Sequence, residues 1–153
     1  MIDEARAKGC VATAFGNRRH VHDQILHKDD GMRGHVERQV VNYLIQGVCA
    51  DNLKRTLTEI RKQGLFKKHN ATLIAPIYDE LAFSCHHSQA ADLILAVHKI
   101  MTRDIPGMAV PMLAEPSLGV NFGDQIEIGP FPTKELVENA VDEALGRSMK
   151  KAA

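Results

Sequence analysis

The chain has 153 residues, 44% of them hydrophobic and 25% charged, a balance that fits one folded domain with a core of useful size. Nineteen Lys and Arg meet nineteen Asp and Glu, so formal net charge is zero and a simple polycation that wraps nucleic acid is excluded. The sum hides a split: residues 1–70 carry 13 Lys/Arg against 8 Asp/Glu and five of the eight histidines, whereas residues 71–153 carry 6 against 11. Such a division can serve one surface that meets phosphates and another that meets metal or solvent; uneven surface charge without function is the alternative.

The three cysteines, Cys10, Cys49 and Cys85, form no CxxC pair, which excludes a zinc knuckle and a disulfide framework. The opening MIDEARAKG has early acids and no apolar run, and nowhere do 18 apolar residues follow one another. The expectation is a soluble, cytoplasmic chain without a membrane partner.

In chain order, residues 2–8 read as a short helix stopped at Gly9. CVATAFG is β-branched and apolar, a short strand running into Gly16, and NRRHVHDQILHKDDGMRG is polar and glycine-punctuated, a long loop that a partner would order. From Val36 the apolar residues Val40, Leu44 and Val48 recur every four, joined by Val41, Ile45, Cys49, Leu53, Leu57 and Ile60. This predicts a long helix running to Gly64. Gly47 in its interior costs about 1 kcal/mol relative to alanine, which points to a close neighbour, a bend or a break.

ATLIAPIY predicts a strand in which Pro76 marks an edge, a bulge or a sheet end, and LAFSC is its hairpin partner with Asp79-Glu80 in the tight connection. Residues 88–103 predict a helix with Ser88 as cap. AVPMLAEPSLGVNFGD supplies one or two short strands, and Thr133 caps a last amphipathic helix whose SMKKAA end is frayed. Helices, hairpin, helix and strands in that order indicate a helix-flanked antiparallel sheet, hence an α+β fold. The domain reading is a main segment over residues 1–128 and a helical extension over 129–153.

On the long helix Arg38, Asn42 and Gln46 are spaced by four and share one stripe. A guanidinium and two amides are suited to base-edge acceptors and sugar oxygens, including the N3 and O2 atoms of a minor groove; a solvated face is the plainer alternative. Gln46 lies in the least polar part of the helix, YLIQGVCAD, where an amide needs a partner. Asp79 and Glu80 are either hairpin-tip charges or part of a divalent-metal site, with remaining ligands drawn from Asp51, the N-terminal loop or another chain. Arg18, Arg19, His20 and His22 are phosphate contacts or a solvated loop. His86 and His87 beside Cys85 are adjacent on an extended segment, so they point apart and make a poor metal pair.

GCVATAFGNRRHV, RGHVERQVVNYLIQGVCADNLKR, IYDEL and GVNFGD resemble, in order, four tracts of the C-terminal segment of family A DNA polymerases. These are a glycine and Arg-Arg tract, an E-R-x-x-x-N-x-x-x-Q-G-x-x-A-D helix, a His-Asp-Glu hairpin and a closing G-x-N-W. The resemblance implies a palm-like fold. It implies that Asp79 helps hold the catalytic Mg²⁺ (or Mn²⁺), that Glu80 supports that site, and that Tyr78 stands where the family has a histidine at the primer terminus. It further implies DNA contacts by Arg38, Asn42, Gln46, Arg18 and Arg19, and places Asp51 at the end of the helix motif. Leu44 replaces a proline, Pro76 a polar residue and Phe122 a tryptophan.

Nothing in the sequence resembles the earlier palm strand with the first metal-binding aspartate, or the fingers helix that grips the triphosphate. Both aspartates are needed to bracket a transferring phosphoryl group. The resemblance therefore implies a subunit or fragment of a template-directed DNA polymerase, inactive alone. Its partners would be a chain carrying the missing palm and fingers motifs, primer/template DNA and dNTP. Two other readings stand beside it: a non-catalytic DNA-binding or replisome accessory protein, and an oligomerisation module that forms a homo-oligomer.

Overall fold

The computed structural model describes residues 1–152, with side chains through Lys151. Its elements are α1 (Ile2–Lys8), β1 (Cys10–Ala12), β2 (Arg18–His20), α2 (His22–Ile25), α3 (Asp30–Lys62), α4 (Leu65–Lys68), β3 (Thr72–Ile77), β4 (Glu80–Ser84), α5 (His87–Met101), β5 (Ser117–Asn121), β6 (Asp124–Glu127) and α6 (Lys134–Ala152). The fold is α+β. Among the described residues the strands form three separate antiparallel ribbons, β1–β2, β3–β4 and β5–β6, rather than the one helix-flanked sheet expected. Among the described residues no helix is long and apolar enough to cross a membrane.

Two compact units divide the chain: residues 1–54 with 105–109, and residues 55–104 with 110–153. In the first, α1 ends where Gly9 adopts a left-handed φ of 66° and its N–H reaches the Ala5 carbonyl. A side chain at Gly9 would also strike His22, 2.8 Å from the Cβ position, so only glycine fits both demands. Ala5, Val11, Val21, Ile25, Val36 and Val40 form the core, with Tyr43 and Leu44 packed against it. Ile25 and Val40 are fully buried, each stabilising the unit by about 1.5–3 kcal/mol relative to exposure.

Much of the segment expected as a long loop falls in β2, α2 and the first turn of α3, which begins at Asp30, six residues before the apolar repeat at Val36. Asp29 explains the early start. Its carboxylate accepts from the Met32 amide at 2.8 Å, and its carbonyl accepts from Arg33, which is the geometry of an N-cap. The capping acid precedes the apolar stripe, so periodicity alone places the start too late.

In the second unit Ile60, Leu65, Leu93, Val97 and Ile100 form the core, with Phe66, Leu81 and Phe83 against it. The Phe66 and Phe83 rings meet at 5.7 Å, tying α4 to the β3–β4 ribbon. Gly64, at φ 64°, separates α3 from α4. The ribbon has an irregularity between Leu73 and Ala75, and Pro76 pairs with Leu81. With two strands, every strand is an edge, which is where a residue without an N–H is tolerated.

The cap of α5 is His86, not Ser88: the imidazole accepts from the Ser88 amide. Thr133 does cap α6, its hydroxyl accepting from Leu136 N–H at 3.3 Å. Val137, Ala140 and Ala144 are buried on one face of α6 as it packs against α5 and the β5–β6 ribbon. The SMKKAA end is helical as far as Ala152, and Lys151 bonds to Asp124 at 2.6 Å. Ala153 lies outside the described residues.

Candidate nucleic-acid interface and acidic hairpin

In the first unit, Arg38, Asn42 and Gln46 are all exposed along α3, one helical turn apart. Gln46, for which its apolar surroundings in the sequence called for a partner, faces out of the unit, and its neighbours Val41 and Ile45 are exposed too, Ile45 at 64%. The apolar run YLIQGVCAD wraps the helix, so only part of it can reach the core. Gln46 falls on the remaining arc.

Gly47 marks a close approach, one of the expected alternatives. A Cβ there would lie 2.8 Å from Thr13 Cγ2. Thr13 is itself buried; its hydroxyl donates to Asp51 Oδ2 at 2.6 Å and accepts from the Phe15 and Asn17 amides. Asn17 Nδ2 donates to the other Asp51 oxygen at 2.5 Å. Asp51 is thus buried and engaged through both oxygens in tying the β1–β2 connection to α3, a role that accounts for its carboxylate without a metal. Thr13 and Asn17 were invisible to sequence reasoning because their partner lies more than thirty positions away in the chain.

Arg18 and Arg19 are exposed on β2, where Arg18 pairs with Ala12 and Arg19 with Val11. Arg19 donates to Gln39 Oε1 at 2.9 Å, and its guanidinium carbon sits 5.8 Å from the centre of the Tyr43 ring. Gln39 Nε2 lies 2.7 Å from His35 Nε2. With the amide donating, His35 accepts at Nε2 and carries its proton at Nδ1 when neutral. The spacing of His35, Gln39 and Tyr43 by four was the available sequence signal for this chain of contacts.

In the second unit the acidic pair sits at the tip of the β3–β4 ribbon, shifted by one position from expectation. The two turn residues are Tyr78 and Asp79, while Glu80 opens β4 opposite Ile77. Asp79 and Glu80 are exposed. Tyr78 is 96% exposed and has a φ of 56°, the left-handed region that two-residue hairpin turns require and bulky residues avoid. No packing offsets that strain, so the phenol projects from the tip at a local cost of about 1–2 kcal/mol.

Among the described residues no three His, Cys, Asp or Glu side chains are grouped to hold a metal. His86 and His87 do not point apart as expected: neither lies in a strand, their rings meet tilted with centres 4.1 Å apart, and His86 is engaged with Ser88 as the cap of α5. Asp79 and Glu80 are hard oxygen donors of the kind Mg²⁺ and Mn²⁺ take, two of the several that such an ion needs. At Asp124, the hydrogen bond from Lys151, with Arg147 beside it, holds the carboxyl below the usual carboxylate range. That acid fastens α6 to the β5–β6 ribbon. Burial pushes the Cys85 thiol up, as suits an inert core neighbour.

Residues 1–124 match the model of the family described as DNA polymerase family A. DNA polymerase I of Streptococcus pneumoniae serotype 4 is 29% identical over 122 residues, which is 80% of this chain and 14% of that protein. The thermostable DNA polymerase I of Thermus thermophilus is 27% identical over 121 residues, 79% of this chain and 14% of that protein. The chain therefore spans about one seventh of the length of these curated relatives. Among solved structures, the POL domain of Pol1 from M. smegmatis in complex with DNA primer-template and dNTP superposes with a TM-score of 0.64 at 24% identity, covering 72% of this chain and 19% of that one.

Proposed function

The chain belongs to DNA polymerase family A, and from that membership we propose that it supplies one acidic corner and part of the DNA-binding surface of a template-directed DNA polymerase. It acts with the further palm and fingers elements as a subunit or segment of the assembled enzyme and does not polymerise alone. The observation that carries this reading is the family match over residues 1–124, which takes in all four tracts in order. Residues 129–153 form an extension outside the catalytic part.

Asp79 and Glu80 are the residues that would hold Mg²⁺ or Mn²⁺, with the remaining ligands coming from substrate phosphates and from residues outside this chain. Such an ion, when bound, neutralises charge on the phosphates undergoing nucleotidyl transfer. The ribbon contributes position: a carboxylate on a two-residue turn has few backbone rotations through which to wander. Arg38, Asn42 and Gln46 present donors along a primer/template duplex, with amides and guanidinium reading acceptors that every base pair offers in the minor groove. Arg18 and Arg19 meet phosphates. Tyr78 reaches the primer end as a neutral hydrogen-bonding phenol where the family places a histidine. Exposure of all these side chains supports the assignment, since none is consumed in the core of its own unit.

Primer extension with Mg²⁺ and four dNTPs tests it, using the chain alone and mixed with proteins that co-purify from its source. Extension confined to the mixture and abolished by both Asp79→Asn and Asp79→Ala is the expected result. Extension that survives both substitutions places the metal site elsewhere and leaves the chain an accessory. No extension in any mixture, together with no affinity for primed DNA, defeats the polymerase reading.

A further inference from the structure

The β3–β4 ribbon is regular on one strand only. Along β4, Leu81 and Phe83, with Cys85 just beyond, pack against the core of the second unit, while Glu80 and Ser84 are exposed. Along β3 the register slips: Leu73 pairs with Phe83 and Ala75 with Ala82, so two steps on β3 match one on β4 and Ile74 has no partner. That is a β-bulge. Ile74 is 53% exposed, so burial does not call for the extra residue. Its consequence lies at the tip. Without the slip, the Leu73–Phe83 register would set Pro76 opposite Glu80 and leave Ile77, Tyr78 and Asp79 in the connection. With it, Ile77 meets Glu80 and only Tyr78 and Asp79 turn. Partners across a ladder share a face, so Ile77 is also carried to the face of Glu80 and Pro76 to that of Leu81, the reverse of strict alternation from Leu73.

We propose that this bulge aims Asp79: Ile74 is a positioning residue for the metal-binding carboxylate, bending β3 between its packed base and the turn. The inference rests on the reading of Asp79 as a metal ligand and adds the device that orients it. A bulge bends its strand and increases the local twist. Beyond it the strand is stiff, because Pro76 fixes its own φ and confines Ala75 to extended backbone. Ile77 and Glu80 flank a two-residue turn and so form a hydrogen-bonded pair, which makes Pro76 and Leu81 the non-hydrogen-bonded pair beside it. The Pro76 nitrogen then points away from β4, and its missing N–H removes nothing from the ladder. At the base, the Phe66 ring holds Phe83 at 5.7 Å. A bend between a packed base and a stiff tip is passed to Asp79 instead of being lost in slack. The other ligands of the ion lie outside this chain, so the aim of the tip matters: a misplacement of about 1 Å costs on the order of 100-fold in rate.

Two deletions test the bulge, each in the whole chain mixed with the proteins that co-purify from its source. Deleting Ile74 sets Leu73 beside Ala75 and leaves every pair in place; deleting Ala75 gives the same regular ribbon with Ile74 opposite Ala82. In primer extension either should lower kcat by about 10- to 100-fold and raise the Mg²⁺ concentration for half-maximal rate. Affinity for primed DNA should stay within about twofold. The melting temperature should hold or rise, because the ribbon becomes regular. Ile74→Ala, which keeps the bulge and drops the side chain, should bring kcat back to within about threefold of the native value. If only one deletion folds, that one decides. Native kcat in the deletions overturns the proposal and leaves the metal reading standing, provided Asp79→Asn still abolishes extension. A loss in Ile74→Ala as large as in the deletions assigns the effect to the side chain and overturns it as well. Collapse of the melting temperature in both deletions makes the bulge a requirement of folding and overturns the positioning role. No extension by the native mixture defeats the polymerase reading, and this inference with it.

Discussion

Gly47→Ala separates two opposing effects of known size. In an ordinary helix interior, replacing glycine by alanine stabilises by about 1 kcal/mol. At this position the new Cβ lies 2.8 Å from Thr13 Cγ2, far inside van der Waals contact. Thr13 has nowhere to retreat. It is 6% exposed, β-branched, and held by its hydroxyl to Asp51 at 2.6 Å and by two backbone amides. Pushing it aside adds overpacking of about 1–3 kcal/mol and weakens a hydrogen bond to a carboxylate worth about 1.5–3 kcal/mol. Relief by small backbone shifts recovers part of this, so the net expectation is a loss of about 1–3 kcal/mol, opposite in sign to the propensity effect. Urea titration followed by far-UV circular dichroism measures it, since the chain has no tryptophan. Thr13→Ser supplies the control: it deletes Cγ2 and keeps the hydroxyl on Asp51. In that background Gly47→Ala should become stabilising by about 1 kcal/mol, a coupling of about 2 kcal/mol or more between the two sites. A stabilising effect of Gly47→Ala in the native background would refute the argument that Thr13 is held fast.

Asp51→Ala should destabilise by about 2–3 kcal/mol in the same titration, because Thr13 keeps a buried hydroxyl without its acceptor. Tyr78→Gly removes a side chain that packs on nothing and frees a left-handed turn position, so stability should rise by about 1 kcal/mol while affinity for primed DNA falls. Binding assays beside thermal melts would show that opposition, and a loss of stability would refute the strain argument. The Asp124 carboxyl is held below its ordinary value by Lys151 and Arg147. Its contribution is therefore full above the unfolded value of about 3.9 and lost as pH falls through the lower folded value. Acid titration of helicity should show that late loss, and Asp124→Asn should remove that part of the pH dependence.

The sequence by itself determined the element types, because each is a local matter of period and punctuation. The every-four apolar repeat specified α3, Gly9 and Gly64 mark turns that need a left-handed backbone, and Thr133 announced α6. Ordered motifs carried the family resemblance, since order along a chain is preserved without reference to space. Local signals erred where two competed: the apolar stripe hid the Asp29 cap, and YDEL did not reveal that Tyr78 and Asp79 make the turn, with Glu80 passing to the strand. Gln46 needed the helix packed before its exposed arc could be known, because a short apolar window shows composition and not which side meets the core.

Only the tertiary structure decided what the isolated polar residues do. Asp51 is joined to Thr13 and Asn17, Arg19 is set by Gln39, and Asp124 is clasped by α6, each through partners far away in the chain. A carboxylate reads the same in sequence whether it binds metal, caps a helix or ties two segments together. Its role is set by which donors the fold brings within about 3 Å, a distance on which periodicity and propensity are silent.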